Sequence, residues 1–315
     1  MNGKRSLAIA TVIVMSAVMA ACASGAPTGS GTTTKLGGNA TTTLKATLLT
    51  VIGPDLELDF ANSLKKLSSG TIDVTVTGNW RPDDMSNEAD LVKEVAAGKA
   101  ELGYIGARGF DTVGVNSFAG LQAPMLIDSL DLEAKVLATD WAKKLLDGPR
   151  SVGVVGLGYV QGELRQPLGI TRDLAQVSDF QGARIGARPS HVTEMTMKAL
   201  GATIVPTPAA SVDLSGLDGM EMGMPGVAGN HYDQGAKSFT GNLVFWARPN
   251  VIFANAKWFD ALTADQQGLL RAAAAGTDQG AVPTTRQGAN ESRGLVCAGG
   301  LSITSASQAA LVAFR

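Results

Sequence analysis

Cysteine, histidine and aromatic residues are scarce in this chain, and each scarcity removes a class of function. Two cysteines and two histidines stand among 315 residues. His191 and His231 lie far apart in sequence with no cysteine cluster beside either, so the close ligand spacing of a structural zinc site is missing. Cys22 and Cys297 form at most one pair, which excludes a disulfide-stapled scaffold. Basic and acidic residues number 26 and 28, and no basic run is interleaved with aromatics, so nucleic acid is excluded as a partner. No G-x-S-x-G elbow, H-E-x-x-H helix or P-loop lysine occurs. The glycines Gly156, Gly158 and Gly162 mimic a dinucleotide loop, but Pro167 follows where that loop needs a helix to begin. No cofactor or metal is called for, and an enzyme is not expected.

What the chain does have begins at its amino terminus. Lys4 and Arg5 precede an apolar run, Leu7 to Ala21, too short for a membrane span of about twenty residues and suited to a signal peptide over 1–21. The run ends Met19-Ala20-Ala21-Cys22, which resembles a bacterial lipoprotein cleavage site with Cys22 as the lipidated residue. Loss of 1–21 leaves 24 basic against 28 acidic residues, a mature net charge of −4. Residues 22–43, rich in Gly, Thr and Ser, read as a flexible stalk. Cys297 is then the remaining cysteine, expected as a small buried hydrophobe.

The stretch 179–225 carries the most information. Alternation sets Arg184, Gly186 and Arg188 on one face of a short strand, and Pro189 stops it. Ser190 is placed to cap a helix that Gly201 ends, so a guanidinium stands beside a helix amino end, a combination that favours an anion. With strands near 202–205 and 217–222, a strand–helix–strand–helix–strand order is expected. The same order is expected upstream: strand 45–52, helix 55–69, strand 72–76, helix 88–97 and strand 102–105, which predicts two similar lobes. Trp80 and Tyr104 follow or close strands of the first unit and are candidates for the cleft, as is Arg108.

The central block resembles one family. Asp179, Phe180, Gly182, Arg184, Ile185, Ala199 to Ala202, Val205, Pro206, Asp218, Gly219, Glu221 and Pro225 carry a likeness to the extracytoplasmic solute receptors of TRAP (tripartite ATP-independent periplasmic) transporters, with fainter likeness from about 44 to 275. The resemblance implies an α/β, two-lobed, periplasmic-binding-protein-like fold of type II kind, with a central cleft and a long helix spanning both lobes. It implies lobe I at 44–150 with a return segment at about 250–262, and lobe II at 151–249 with 263–315 packing across both. The long helix is expected from the cap Thr263, with a separate helix at about 283–297; the helix expected at 132–146 lies in lobe I, and a last one begins at Ser305, cut short at Arg315.

The function so implied is capture of a small organic anion, a carboxylate, and its delivery to integral membrane permease subunits from outside the cell membrane, with the receptor held by lipid on Cys22. An ABC-type importer's receptor for an uncharged or larger ligand is the alternative. Two departures from the family pattern matter. The position of its carboxylate-clamping arginine is Gly186, leaving Arg188 to take that role, and its Glu-Asn-Pro run reads Glu221-Met222-Gly223-Met224-Pro225. Gly186 with Met222 and Met224 suggests a wider, softer pocket. Arg165, within a Gly162-x-x-Arg165-x-Pro167 pattern, and Asn230, at the expected start of a helix, complete the candidate ligand residues with Arg188, Glu221, Tyr104 and Trp80.

Overall fold

The computed structural model describes residues 43–53, 55–210 and 212–315, all within one compact unit, Thr41–Arg315. The expected signal peptide, Cys22 and nearly all of the stalk lie outside the described residues.

The first lobe is built in the order β1 (Leu44–Thr50), α1 (Asp55–Leu67), β2 (Ile72–Thr77), α2 (Asn87–Ala96) and β3 (Leu102–Gly106), followed by α3 (Leu130–Leu137), α4 (Asp140–Leu145) and β4 (Val154–Val160). β1 lies between β2 and β3, parallel to both. The second lobe has β5 (Leu164–Gly169), β6 (Arg184–Ala187), α5 (His191–Ala199), β7 (Thr203–Pro206), β8 (Gly219–Met222), α6 (Met224–Gly229), β9 (Ser238–Thr240) and β10 (Trp246–Ala247). There β6 lies between β7 and β8, again parallel to both. The chain then returns through β11 (Asn250–Asn255), α7 (Ala256–Asp260), α8 (Ala264–Ala298), β12 (Ser302–Thr304) and α9 (Gln308–Phe314).

Each parallel trio is completed by a strand from the crossing between lobes. β11 runs antiparallel to β3, and β5 antiparallel to β8, so the orders β2-β1-β3-β11 and β7-β6-β8-β5 are the same pattern twice. β4, expected to open the second lobe, instead pairs with β11 in the first sheet, and the chain crosses through Gln161-Gly162-Glu163. The mimic of a dinucleotide loop is thus strand followed by strand, and its glycines serve packing. A Cβ on Gly158 would stand 2.8 Å from that of Ala274 on α8, and one on Gly162 would overlap the carbonyl of Arg248 in the returning segment between β10 and β11. Only glycine lets the two crossing segments pass that closely.

Apolar layers cover both faces of both sheets. Phe110, Phe118 and Phe253 pack edge to face on one side of the first sheet. Phe60, Leu64, Tyr104 and Leu270 fill the other side beneath α1 and α8. In the second lobe Phe180, Phe245 and Trp246 anchor one face, and Leu168, Phe239 and Val296 the other. α8 therefore buries Leu270 to Ala281 against the first lobe and Val296 against the second.

Four local expectations are corrected. α8 is one helix rather than two, because it continues past Pro283, which deletes one main-chain donor while Ala281 stays buried. The single helix expected at 132–146 breaks in two, since Thr139 takes an extended backbone and its hydroxyl accepts from the N–H of Ala142. No helix joins β7 to β8 among the described residues of 207–218, where Pro208 and Gly216 (φ 77°) interrupt the chain. Cys297 is exposed, on the side of α8 away from the buried Val296.

Candidate functional site

Between the lobes lies a cavity of about 150 Å³. Its charged walls come from strand ends and from one helix start. α2 delivers Glu88 in its first turn, the segment after β3 delivers Arg108, and the crossing segments deliver Glu163, Arg165 and Arg248. Arg188 follows β6 directly, and Glu221 is on β8. The rest of the lining is mixed: Val51, Ile52, Pro208, Ala210, Val212 and Met222 are apolar, and Thr207, Asn230 and Tyr232 are polar.

Arg165, 4% exposed, is bound on all three nitrogens. Its Nε donates to Glu221 Oε1 at 2.5 Å, Nη2 donates to Glu221 Oε2 and to the Glu221 carbonyl, and Nη1 donates to Glu163. The indole N–H of Trp246 donates to the same Glu221 carboxylate at 3.1 Å. Burial works against the charge of Arg165, but Glu221 and Glu163 outweigh it and push its pKa above the usual range. This group is saturated by its own protein partners.

Arg108 and Arg188 are not. Arg108 donates through Nε and Nη2 to the two oxygens of Glu88, each at 3.3 Å, and its Nη1 is buried with no hydrogen-bond partner among the described residues. Arg188 donates through Nη2 to Asn87 Oδ1 and stands 3.8 Å from Glu88; its Nη1 is likewise buried and unpartnered. Burial pushes Arg108 down to about 9 against the pull of Glu88, with Arg248 and Arg165 adding to the depression. Burial lowers Arg188 too, again with Glu88 opposing and Arg248 and Arg165 assisting. Burial alone would keep Glu88 neutral, yet Arg108, Arg188 and Arg248 hold its carboxyl down at about 2. Arg248 reaches 3.8 Å from Glu88 and 3.9 Å from Glu163, with its Nε packed over Gly106. Four guanidinium groups therefore face three carboxylates around the cavity, leaving one positive charge in excess.

The helix amino end expected to hold an anion does hold one, supplied by the protein. Asp111, from the first lobe, accepts from the Ser190 hydroxyl at 2.8 Å and from the N–H of Val192 at 3.3 Å at the start of α5. This carboxylate, the Arg188–Asn87 bond and the bond from the N–H of Ala210 to the carbonyl of Pro82 join the lobes across the cleft.

Of the residues expected from sequence, Arg188, Arg165, Glu221 and Asn230 line the cavity. Asn230 ends α6 rather than opening a helix, and its side-chain amide donates to the Gly226 carbonyl. Tyr104 does not reach the cavity: its ring is 1% exposed and packs in the core under α8, because alternation along β3 turns it to the other face. Trp80 also lies off the cavity, half-buried, with the Arg81 guanidinium 4.4 Å over its ring. Gly186 does not widen the pocket, since a Cβ there would meet Leu217, Met220 and Thr207 within 3.2 Å; Met224 is core. Sequence reasoning missed Glu88, Arg248 and Asn87. A glutamate in a helix's first turn and an arginine before Pro249 carry no local sign of a site.

A sequence model of bacterial extracellular solute-binding protein, family 7, matches residues 45–315. The chain belongs to that family. The family 7 assignment makes it a solute-binding receptor rather than an enzyme. The fold agrees. A TRAP periplasmic solute binding protein from Xanthobacter autotrophicus Py2, solved with bound β-D-galacturonate, superposes with a TM-score of 0.76 at 22% identity, over 86% of this chain and 92% of that one. A TRAP protein from Pseudomonas aeruginosa PAO1 with bound L-malate gives 0.76 at 20% identity, covering 86% and 96%. One from Shewanella oneidensis with bound succinate gives 0.76 at 18%, covering 86% and 90%. Among the described residues no helix is long and apolar enough to cross a membrane.

Proposed function

We propose that this family 7 receptor serves a TRAP transporter, captures a small organic anion between its lobes by its carboxylate, and hands it to membrane permease subunits. One observation carries the reading: Arg108 and Arg188, which line a cavity that holds excess positive charge, each have a buried guanidinium nitrogen with no hydrogen-bond partner among the described residues. A carboxylate supplies acceptors for both, and charge-assisted bonds of this kind are the strong ones in a site shielded from water. The bound carboxylates of the TRAP neighbours, malate and succinate among them, support the same chemistry over an ABC receptor for a neutral ligand. Arg165 and Glu221 act in this reading as a fixed frame, Asn230 as a polar wall residue, while Tyr104 and Trp80 support the first lobe from outside the cavity.

The test is calorimetric titration with a panel of carboxylic acids and their uncharged amides. The acid that binds is expected to lose at least about thirty-fold in affinity as its amide, since a buried charged partner contributes roughly 2–5 kcal/mol. Equal affinity for acid and amide would refute the carboxylate reading. We propose also that residues 1–21 are a signal peptide and that Cys22 bears lipid at the end of a stalk over 22–43; Cys22→Ala is expected to release the protein from membranes on fractionation.

A further inference from the structure

We propose that the receptor selects a short monocarboxylate and rejects dicarboxylates, and that Glu88 is the residue that imposes this choice. The inference rests on the carboxylate reading above and narrows it to one charge and one size.

The charge follows from the count around the cavity. Arg108, Arg165, Arg188 and Arg248 face Glu88, Glu163 and Glu221, so one negative charge on the ligand brings the site to neutrality. A second one would enter a buried site whose guanidinium groups already hold internal carboxylates, and an unneutralised buried charge is strongly disfavoured. Glu88 decides the balance by its position. It is 5% exposed, bonded to Arg108 by both oxygens at 3.3 Å, and 3.8 Å from both Arg188 and Arg248. A protein carboxylate thus occupies the centre of three arginines, where the second carboxylate of a dianion would otherwise go. Three guanidinium nitrogens of the lining, Arg108 Nη1, Arg188 Nη1 and Arg248 Nε, have no hydrogen-bond partner among the described residues, which leaves donors for the two oxygens of a single carboxylate.

The size follows from the volume. A cavity of about 150 Å³ holds a ligand of roughly six non-hydrogen atoms, as an engineered cavity of that volume holds benzene. Beyond the charged groups the lining is Val51, Ile52, Pro208, Ala210, Val212 and Met222 with the uncharged polar side chains of Thr207, Asn230 and Tyr232, which fits a short tail that carries no second charge.

The experiment titrates the full receptor at neutral pH with propionate, isobutyrate, lactate and pyruvate, and in parallel with malonate and succinate. At least one monocarboxylate is expected to bind a hundred-fold or more tightly than either dicarboxylate. Glu88→Gln, which adds one unit of positive charge to the site, is expected to shrink that ratio at least tenfold by tightening the dicarboxylates; Glu163→Gln, checked for folding by its melting curve, provides the same charge change should Glu88→Gln fail to fold. Wild-type preference for malonate or succinate overturns the inference while leaving the carboxylate reading in place, and so does a ratio that a folded Glu88→Gln, or Glu163→Gln where Glu88→Gln does not fold, leaves unmoved. Absence of binding by every acid in the panel, and by larger carboxylates, overturns both together.

Discussion

The two lobes share one strand pattern and differ at one connection, and that difference builds the site. After its second strand the first lobe forms α2, whose amino end brings Asn87 and Glu88 to the cleft. The second lobe has no helix in that place among the described residues, and Pro208, Ala209 and Ala210 line the cavity there. That connection therefore contributes a charged helix start in one lobe and apolar chain in the other. The arginines come from both sides: Arg108 from the first lobe, Arg188 from the second, Arg165 from β5 and Arg248 from the link between β10 and β11. A duplicated scaffold with unequal connections gives a pocket of mixed chemistry.

The largest effect on that arrangement is expected from Arg188→Ala. It removes the second lobe's charge from the Glu88 cluster and the bond to Asn87, and ligand affinity measured by calorimetry should fall about 30-fold to several thousand-fold with the fold intact. Unchanged affinity would mean that the lobes do not share the recognition. Next is Gly162→Ala at the crossing. Its methyl group would overlap the Arg248 carbonyl, so the segments must separate, and urea denaturation should show a loss of about 1–3 kcal/mol.

The crossing also predicts a pH effect. Glu133 on α3 accepts from the N–H of Gly162 at 3.2 Å, and Asp278 on α8 accepts from that of Gln161 at 2.8 Å. Burial pushes Glu133 from its ordinary 4.5 up to about 8, with Asp278 and Glu163 adding to the rise and the Gly162 N–H opposing. The folded state thus favours the protonated form. Its contribution is complete below pH 4.5 and fades as pH climbs through about 8, at up to about 1.4 kcal/mol per pH unit. Glu133→Gln should melt at a higher temperature than the wild type at pH 9 and close to it at pH 5. The smallest effect is expected from Asp111→Asn, which leaves the lobes joined without the charge at the start of α5. A loss of about 1 kcal/mol, roughly fivefold in affinity and mainly in the dissociation rate, is expected by stopped-flow.

Legibility in the sequence tracked how local the determining physics is. The strand at 184–187, the cap Ser190 and the helix after it are set by alternation, a hydroxyl and two flanking breakers, all within a few residues. The repeat of that order in both halves announced two lobes. The break at Thr139 and the continuity of α8 through Pro283 were not readable, since tertiary packing overrides a short-range signal in each direction. At the site, Arg188 was found through its neighbours in sequence, but the anion beside its helix proved to be Asp111, 79 residues away from Ser190. Tyr104 shared the position and chemistry of a cleft residue; only the turn of its strand consigned it to the core.

Sequence alone determined the family, the two-lobed plan and the presence of arginines near the crossing, because apolar periodicity, caps and breakers act along the chain. Tertiary structure alone decided which arginines are spent and which are free. Arg165 and Arg188 look alike in sequence, yet one meets Glu221 from 56 residues away and the other keeps a nitrogen unpartnered. Charge neutralisation depends on distance in space, and burial multiplies its effect, so the balance that selects a ligand appears only once the lobes have met.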